Sequence, residues 1–409
     1  MAHYYRPRCK CPKEMKEKNK CKCGATWGFM IDIGNDPKTG ERRQRGRSGF
    51  KNIKEARIAC AKFITELNKG TYVEETDINF EEFSNQWLSM YESTGTRKPG
   101  TVRVRQKERL RLLDYFAKLK LKSITRKQYQ DALNDLKERG YAKQTMNGIH
   151  VTGRMIFKKA IELELLIKDP TEFAYVPREQ KTVEDLENKR EIPKYLEKEE
   201  LALFLATAEQ HGLDRDHPVF VTLAYTGMRI GELCALKWKD IDFETGSINI
   251  TKTYYNPKNN IKKYSLGPPK TKASERVIEI DEDVLDVLKA HKKHQNKIKM
   301  QYRDSYYDKD FVFAEEGKNY AGYPTYPKKF ENRMETLLKM TDVNHELTPH
   351  SLRHTHTSLL AEIGISLDQI MDRLGHVDDR QTKLVYNHVT KPRKKEPAHK
   401  FSELMRGLR

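Results

Sequence analysis

The sequence predicts a multidomain chain: a small β-sheet plus helix N-terminal domain, an all-α domain after it, and a mixed α+β, mainly helical domain in the C-terminal half. Three observations lead there. At 409 residues the chain exceeds the usual size of one domain, so two or three are expected. Apolar spacing changes from strand-like to helical near Ile53 and stays helical as far as Leu166. Between Pro177 and Pro193 a charged stretch with little apolar content interrupts the pattern, as a linker would. The expected divisions are 1–76, 77–180, a linker at 181–193, and 194–409.

In the first segment, Trp27 to Ile33 reads as a strand, Asp36-Pro37-Lys38-Thr39-Gly40 as a tight turn, and Glu41 to Arg47 as the return strand. Arg43, Arg45 and Arg47 alternate onto one face of it. Ile53 to Leu67 carries Ala56, Ala59, Cys60, Phe63, Ile64 and Leu67 at helical spacing. The second segment predicts helices at Phe80–Tyr91, Thr101–Phe116, Thr125–Arg139 and Lys143–Leu166, punctuated by Gly100, Gly140 and Asp169-Pro170. The third opens with a helix at Glu197–Ala208 and mixes helices with short strands near Ile248–Thr253, Val277–Ile280 and Phe311–Phe313.

Composition narrows the function classes. No run of eighteen apolar residues occurs; Val219 to Tyr225 is the densest short run, so a membrane span is not expected. The N-terminus is basic without the apolar stretch of a secretory signal. Six cysteines, four of them between Cys9 and Cys23, exclude a disulfide framework across the chain and fit a reducing, cytoplasmic setting. Cys60 and Cys234 sit in apolar helical patterns and read as core thiols. The net charge is +18, which favours a polyanionic partner, with nucleic acid first among them. The excess is concentrated. Residues 1–50 hold 13 Lys/Arg against 5 Asp/Glu, and residues 97–127 hold 12 against 2. Two basic segments point to two contacts on the polyanion. In the second, Arg103, Arg105, Lys107 and Arg109, with Arg111, surround apolar positions, and phosphate contact is expected of them.

Four short stretches carry candidate chemistry. In Thr226-Gly227-Met228-Arg229-Ile230-Gly231-Glu232, a glycine ends one helix and Arg229 opens the next. In Thr348-Pro349-His350-Ser351-Leu352-Arg353-His354, Thr348 suits a helix cap and Pro349 the first helical position, so His350 and Arg353 share a face. Metal binding by His350, His354 and His356 is disfavoured because partner carboxylates are missing and Arg353 would repel a cation. Leu374-Gly375-His376 and, ten residues on, Tyr386 complete the set.

Arg, then His-x-x-Arg, then Leu-Gly-His, then Tyr resembles the signature of the tyrosine recombinases, the phage-integrase family. The matching text is Thr226–Trp238, Leu347–Thr357 and Leu374–Val389, and the segments ahead of it are similar to integrases with an arm-binding N-terminal domain, which implies that the first sheet lies in a groove of arm-type DNA with Arg43, Arg45 and Arg47 contacting phosphates or base edges. The resemblance implies that Arg229 and Arg353 clamp the scissile phosphate, that His350 is the histidine beside them and His376 the catalytic histidine of the Leu-Gly-His box, and that Tyr386 is the nucleophile. Glu232 matches a supporting acid. A family lysine on a hairpin turn corresponds to Lys270, with Lys272 as the alternative. It further implies cutting and rejoining through a 3′-phosphotyrosyl link, with no catalytic cofactor, by a homotetramer on double-stranded DNA attachment sites. An excisionase and a DNA-bending protein are expected helpers. The residue chemistry agrees: a phenol is a weak nucleophile unless cations stabilise its anion, and two guanidiniums hold non-bridging oxygens bidentately. A DNA-relaxing type IB topoisomerase and a DNA-binding regulator without strand exchange are the rival readings. Cys9, Cys11, Cys21 and Cys23 are candidate ligands for a structural zinc, although Cys-x-Cys is tighter than the usual zinc spacing.

Overall fold

The structure, a computed structural model, describes residues 2–7, 9, 11, 23–35, 40–68, 78–95, 97–178, 195–269, 271–376 and 380–390. The expected turn at Asp36–Thr39, the linker at 181–193, Cys21, Lys270 and the C-terminal tail lie outside the described residues. The chain divides into two compact units, Met1–Gln180 and Lys181–Arg409.

The first unit opens with an antiparallel sheet in the order β1 (His3–Tyr5), β2 (Trp27–Asn35), β3 (Arg42–Phe50). β1 escapes a periodicity reading because three residues show no period. Helix α1 (Ile53–Asn68) buries Cys60 and Phe63 against Phe29 and Ile31, which form a very small core. A separate core gathers helices α2 (Phe80–Ser93), α3 (Pro99–Phe116), α4 (Arg126–Glu138) and α5 (Lys143–Glu162) around Phe80, Phe83, Leu112, Phe116, Tyr129 and Phe157. Local chemistry sets their starts. Asn79 and Glu82 form a capping box on α2, Thr125 and Gln128 one on α4, and Pro99 occupies the first position of α3. α5 stops short of the expected Leu166: Glu164 turns to φ 59°, and the Leu165 amide donates back to Ala160 O at 2.8 Å.

The second unit is mainly helical: α6 (Lys198–His211), α7 (Asp216–Thr226), the single turn α8 (Ile230–Leu233), α9 (Glu282–Tyr302), α10 (Pro327–Leu338), α11 (Pro349–Glu362), α12 (Leu367–Leu374) and α13 (Arg380–Thr390). α7 is apolar almost all round and packs against α6, α9 and α11, so it forms the centre of the core. An antiparallel sheet, β4 (Ile241–Asp242), β5 (Ser247–Ile250) and β8 (Arg276–Glu279), lies on this core. Between β5 and β8 the chain forms a separate hairpin of β6 (Thr253–Tyr255) and β7 (Ser265–Gly267).

The expected strand at Phe311–Phe313 is not one. Only isolated bridges form there, Lys237 with Phe311 and Ala314 with Pro324. Side chains of α9 take the place of a strand partner: Gln295 Nε2 donates to Phe311 O at 2.8 Å, and His291 Nε2 lies 2.9 Å from Val312 O. A short, continuously buried apolar run satisfied in this way has the same sequence signature as a core strand.

Candidate active site

The site is built where α7 ends. Gly227 caps that helix with φ 62°, a left-handed conformation that glycine adopts without strain. A Cβ there would come within 2.7 Å of Leu374 Cδ2 and 2.8 Å of His356 Cδ2, so the position also needs a residue without a side chain. The reversal sets Arg229 at the cap of α8. Glu232 then reaches back: Oε2 accepts from the Arg229 amide at 3.0 Å and Oε1 from Arg229 Nη1 at 2.8 Å. Arg229 stays about one-third exposed (34%) while Glu232 is buried.

A second arginine, Arg276 at the start of β8, donates from Nη2 to Glu232 Oε2 at 3.0 Å. It also holds Arg373 O at 2.8 Å and Ser274 O at 3.0 Å. Burial pushes the Glu232 carboxyl up, but Arg276 and then Arg229 outweigh it and hold its pKa below the ordinary value. The carboxylate is thus a fixed anchor between two guanidiniums.

Arg353 enters from the first turn of α11 and is 2% exposed. Nη1 donates to Gly227 O at 2.6 Å and Nη2 to Leu374 O at 2.6 Å, which ties the end of α7 to the end of α12. Nη2 also lies 2.5 Å from His376 Nε2, and His376 Nδ1 lies 2.9 Å from Thr382 Oγ1. Arginine has no acceptor, so Nε2 accepts here and Nδ1 donates to the Thr382 hydroxyl. His350 sits exposed in the same first turn of α11, its ring edge-on to His354 at 4.9 Å. Tyr386 is on α13, half-buried against Ala361, Ile370 and Leu374, and α13 packs on α11 and α12.

One hydrogen-bonded chain therefore joins Arg276, Glu232 and Arg229, and another joins Gly227, Arg353, His376 and Thr382. Arg276 and Thr382 were not singled out from sequence. Arg276 stands in the Lys-Thr-Lys-Ala-Ser-Glu-Arg run beside the lysines considered there. Thr382, four residues before Tyr386, carries no distinguishing local signal. Lys272 is exposed and opens a short 3-10 turn ending at Ser274. That turn lies against Gly375, where a Cβ would meet Ala273 O at 2.8 Å. His356, considered with His350 and His354 for a metal, is buried and already engaged, with Nδ1 2.9 Å from Ala224 O and Nε2 accepting from Arg373 Nε at 3.1 Å.

The expected DNA-contacting residues divide. Successive alternate residues on an α-helix are turned by about 200°, so positions 103 and 107 share one side of α3 and 105 and 109 the other. Arg103 and Lys107 are exposed. Arg109 is buried and donates to Ser84 Oγ at 3.0 Å and Asn85 Oδ1 at 2.7 Å, and burial lowers its pKa. Arg105 bonds Glu108 at 2.7 Å and Thr152 at 2.9 Å. Of the four from which phosphate contact is expected, two are thus exposed cations and two face inward. On β3, Arg45 lies opposite Ile31 and Arg47 opposite Phe29, so the Arg43–Arg45–Arg47 row shares the sheet face that packs on α1. The Arg47 guanidinium lies over the Phe63 ring at 5.3 Å.

Comparison with known proteins fixes the family. The integrase of Staphylococcus phage L54a is 30% identical over 358 residues, which are 84% of this chain and 98% of that protein. The chain belongs to the phage integrase family. The profile of the Phage integrase family matches residues 194–393 of it, an Arm DNA-binding domain profile matches 16–67, and the phage integrase N-terminal SAM-like profile matches 79–137. This phage integrase family member is also similar to the ICEBs1 integrase of Bacillus subtilis, at 28% identity over 92% of this chain and 97% of that one. Its fold resembles that of the Tn1549 transposon integrase solved with transposon right end DNA (TM-score 0.61, 21% identity, 78% of this chain and 99% of that one). It also resembles that of a lambda integrase tetramer bound to a Holliday junction (TM-score 0.54, 18% identity, 87% and 91%). This family member is accordingly a tyrosine-type site-specific DNA recombinase with the three-part fold class read from sequence. Among its described residues, no helix is long and apolar enough to cross a membrane.

Proposed function

We propose that the chain integrates a phage or mobile element by transesterification at Tyr386, with Arg229 and Arg353 as the phosphate clamp. What supports this most is the anchoring of both guanidiniums from behind, Arg229 by Glu232 and Arg353 by the Gly227 and Leu374 carbonyls. Arginines held in place before the substrate arrives stabilise the charge that grows on non-bridging oxygens without a reorganisation cost. The phenol of Tyr386 gives its proton to a base as its oxygen attacks phosphorus, the P–O5′ bond breaks, and the 5′-oxygen takes a proton from a cationic or imidazole donor. A 5′-hydroxyl of the partner strand then attacks the 3′-phosphotyrosyl bond and restores the phenol. Bond energy is conserved, so no ATP is consumed, and the arginines supply the neutralisation for which other phosphoryl-transfer sites use Mg²⁺. His350 is assigned to the phosphate, and His376, with Nε2 on Arg353 and Nδ1 on Thr382, to holding Arg353 in place. The hairpin-turn lysine, Lys270 or Lys272, is assigned to the leaving oxygen.

In this reading residues 1–76 bind arm sites, 77–180 and 194–409 grip the crossover core, and 181–193 link them. The protein works as a homotetramer on two duplexes, in the cytoplasm of a bacterial host, with an excisionase and a DNA-bending protein as helper partners. The lambda integrase tetramer on a Holliday junction supports that assembly.

The test is covalent trapping. Sequencing the junctions of the element supplies the crossover core, and a nicked duplex of that core is incubated with wild type and Tyr386→Phe in EDTA. An SDS-resistant adduct only with wild type is expected. An adduct that persists in Tyr386→Phe assigns the nucleophile elsewhere, and tight binding with no adduct favours a regulator.

A further inference from the structure

The first 23 residues hold four cysteines for which strand exchange has no use. Three of them converge. The sulfur atoms of Cys9, Cys11 and Cys23 all lie within 4.8 Å of one another, and Cys9 Sγ is 3.4 Å from Cys23 Sγ. Zinc–thiolate bonds of about 2.3 Å in a tetrahedron place sulfurs about 3.8 Å apart, so the observed spacing is that of ligands around one ion. The tight Cys-x-Cys step is no obstacle, because Cys9 and Cys11 both reach the cluster across a single residue. Cys21 lies outside the described residues but repeats that step with Cys23. An all-sulfur donor set without carboxylate or imidazole selects Zn²⁺ over Mg²⁺ or Ca²⁺. We propose that Cys9, Cys11 and Cys23 hold one structural zinc ion that staples the N-terminal sheet.

The position of the cluster explains what the ion would do. β1 pairs with β2 through only three residues, His3 with Met30, Tyr4 with Phe29 and Tyr5 with Gly28. Cys9 and Cys11 follow β1, and Cys23 stands four residues before β2, so the sulfurs meet just beyond the end of this short ladder. Arg6 lies over the Trp27 ring at 4.3 Å in the same place. Among the described residues the buried apolar cluster behind the sheet is Phe29, Ile31, Cys60 and Phe63, with Tyr4, Ile33 and Phe50 packed partly buried against it. A core that small gives a three-residue edge strand little support. Small domains of this kind add a disulfide or a metal. The sequence favours the same ligands: Lys10, Lys13, Lys16, Lys18, Lys20 and Lys22 are interleaved with the cysteines, and neighbouring cations favour the thiolate form that binds a metal.

The ion is therefore structural and separate from the cleavage site proposed above, which lies in the other unit. Zinc content of the full-length, reduced protein is measured by mercurial release, and the metal-stripped protein is titrated with Co²⁺ under TCEP. One zinc per chain is expected, together with the intense d–d bands and sulfur-to-cobalt charge transfer of a tetrahedral thiolate site. Cys9→Ser and Cys23→Ser should each weaken the metal by at least about tenfold. Adduct formation on a crossover-core duplex should be unchanged. Substoichiometric zinc with no cobalt spectrum from wild-type protein overturns the proposal, whatever the variants do. So does full metal retention in the Cys9→Ser/Cys23→Ser double variant. Metal bound with no adduct on the core leaves the zinc site standing and overturns the Tyr386 assignment, while an adduct without metal does the reverse.

Discussion

Replacing Glu232 by glutamine tests the anchoring of the arginine pair most directly. The carboxylate is 4% exposed and bonds Arg229 at 2.8 Å and Arg276 at 3.0 Å, with the Arg229 amide also on Oε2. The amide of Glu232→Gln keeps the shape but loses the charge, and its NH₂ must face an arginine donor or the Arg229 N–H. Removing one partner from a buried charge pair costs about 3–5 kcal/mol. Because Arg229 is one-third exposed and regains water, the lower end applies, about 3 kcal/mol. For a unit of this size that is a fall of about 6–12 °C in the unfolding midpoint. Cleavage should fall by about ten- to a hundredfold at a temperature where the variant is folded, since Arg229 loses its fixed position. The pH dependence supplies a sign that a packing defect would not. Glu232 is held below its ordinary pKa of 4.5, so its stabilisation is complete above that pH and disappears as pH falls through the depressed native value. Urea unfolding of wild type and variant from pH 7 downward reads this as a gap that closes on acidification. A gap under about 1 kcal/mol at pH 7, or one that stays constant with pH, would refute the reasoning.

Four further outcomes are expected. His356 is pushed down to about 3, first by burial and then by Arg373, and burial likewise takes His291 to about 4; both rings stay neutral in the native state while the unfolded rings protonate below 6.5. Each should therefore remove about 2 kcal/mol of stability between pH 6.5 and 5, and His356→Gln should lose correspondingly less over that interval in denaturant titrations. Gly227→Ala meets a left-handed φ and two contacts under 3 Å, so a loss of about 2–4 kcal/mol is expected, together with loss of DNA cleavage as the carbonyl that holds Arg353 shifts. On α3, Arg103→Gln and Lys107→Gln should each flatten the salt dependence of DNA binding by about 0.9 in log–log slope without changing the melting temperature. Arg109→Gln should lower the melting temperature, and a melting temperature equal to wild type would contradict its buried bonds to Ser84 and Asn85.

Much of this protein is legible without coordinates. The helices of residues 80–162 follow from apolar spacing and from caps such as Asn79–Glu82 and Thr125–Gln128, which are local interactions within one turn. The order of the arginine, His-x-x-Arg, Leu-Gly-His and tyrosine stretches, with the family membership it implied, likewise needs no distances. Other features depend on partners far away in the chain. Arg353 and Gly227 are 126 residues apart, and the bond between them shows in neither neighbourhood. Arg276 looks like one more cation in a basic run until β5–β8 pairing and packing bring it to Glu232. Arg105 and Arg109 read as surface charge because composition counts cations but does not register that every second residue of a helix turns to the opposite side. The strand expected at Phe311–Phe313 failed for the converse reason: the Phe311 and Val312 carbonyls are satisfied by α9 side chains and that of Phe313 by the Thr325 amide, and hydrophobicity alone does not say who supplies the hydrogen bonds. Sequence periodicity reports on neighbours within about four residues. Which distant group completes a charge or a hydrogen bond is decided only when the elements pack.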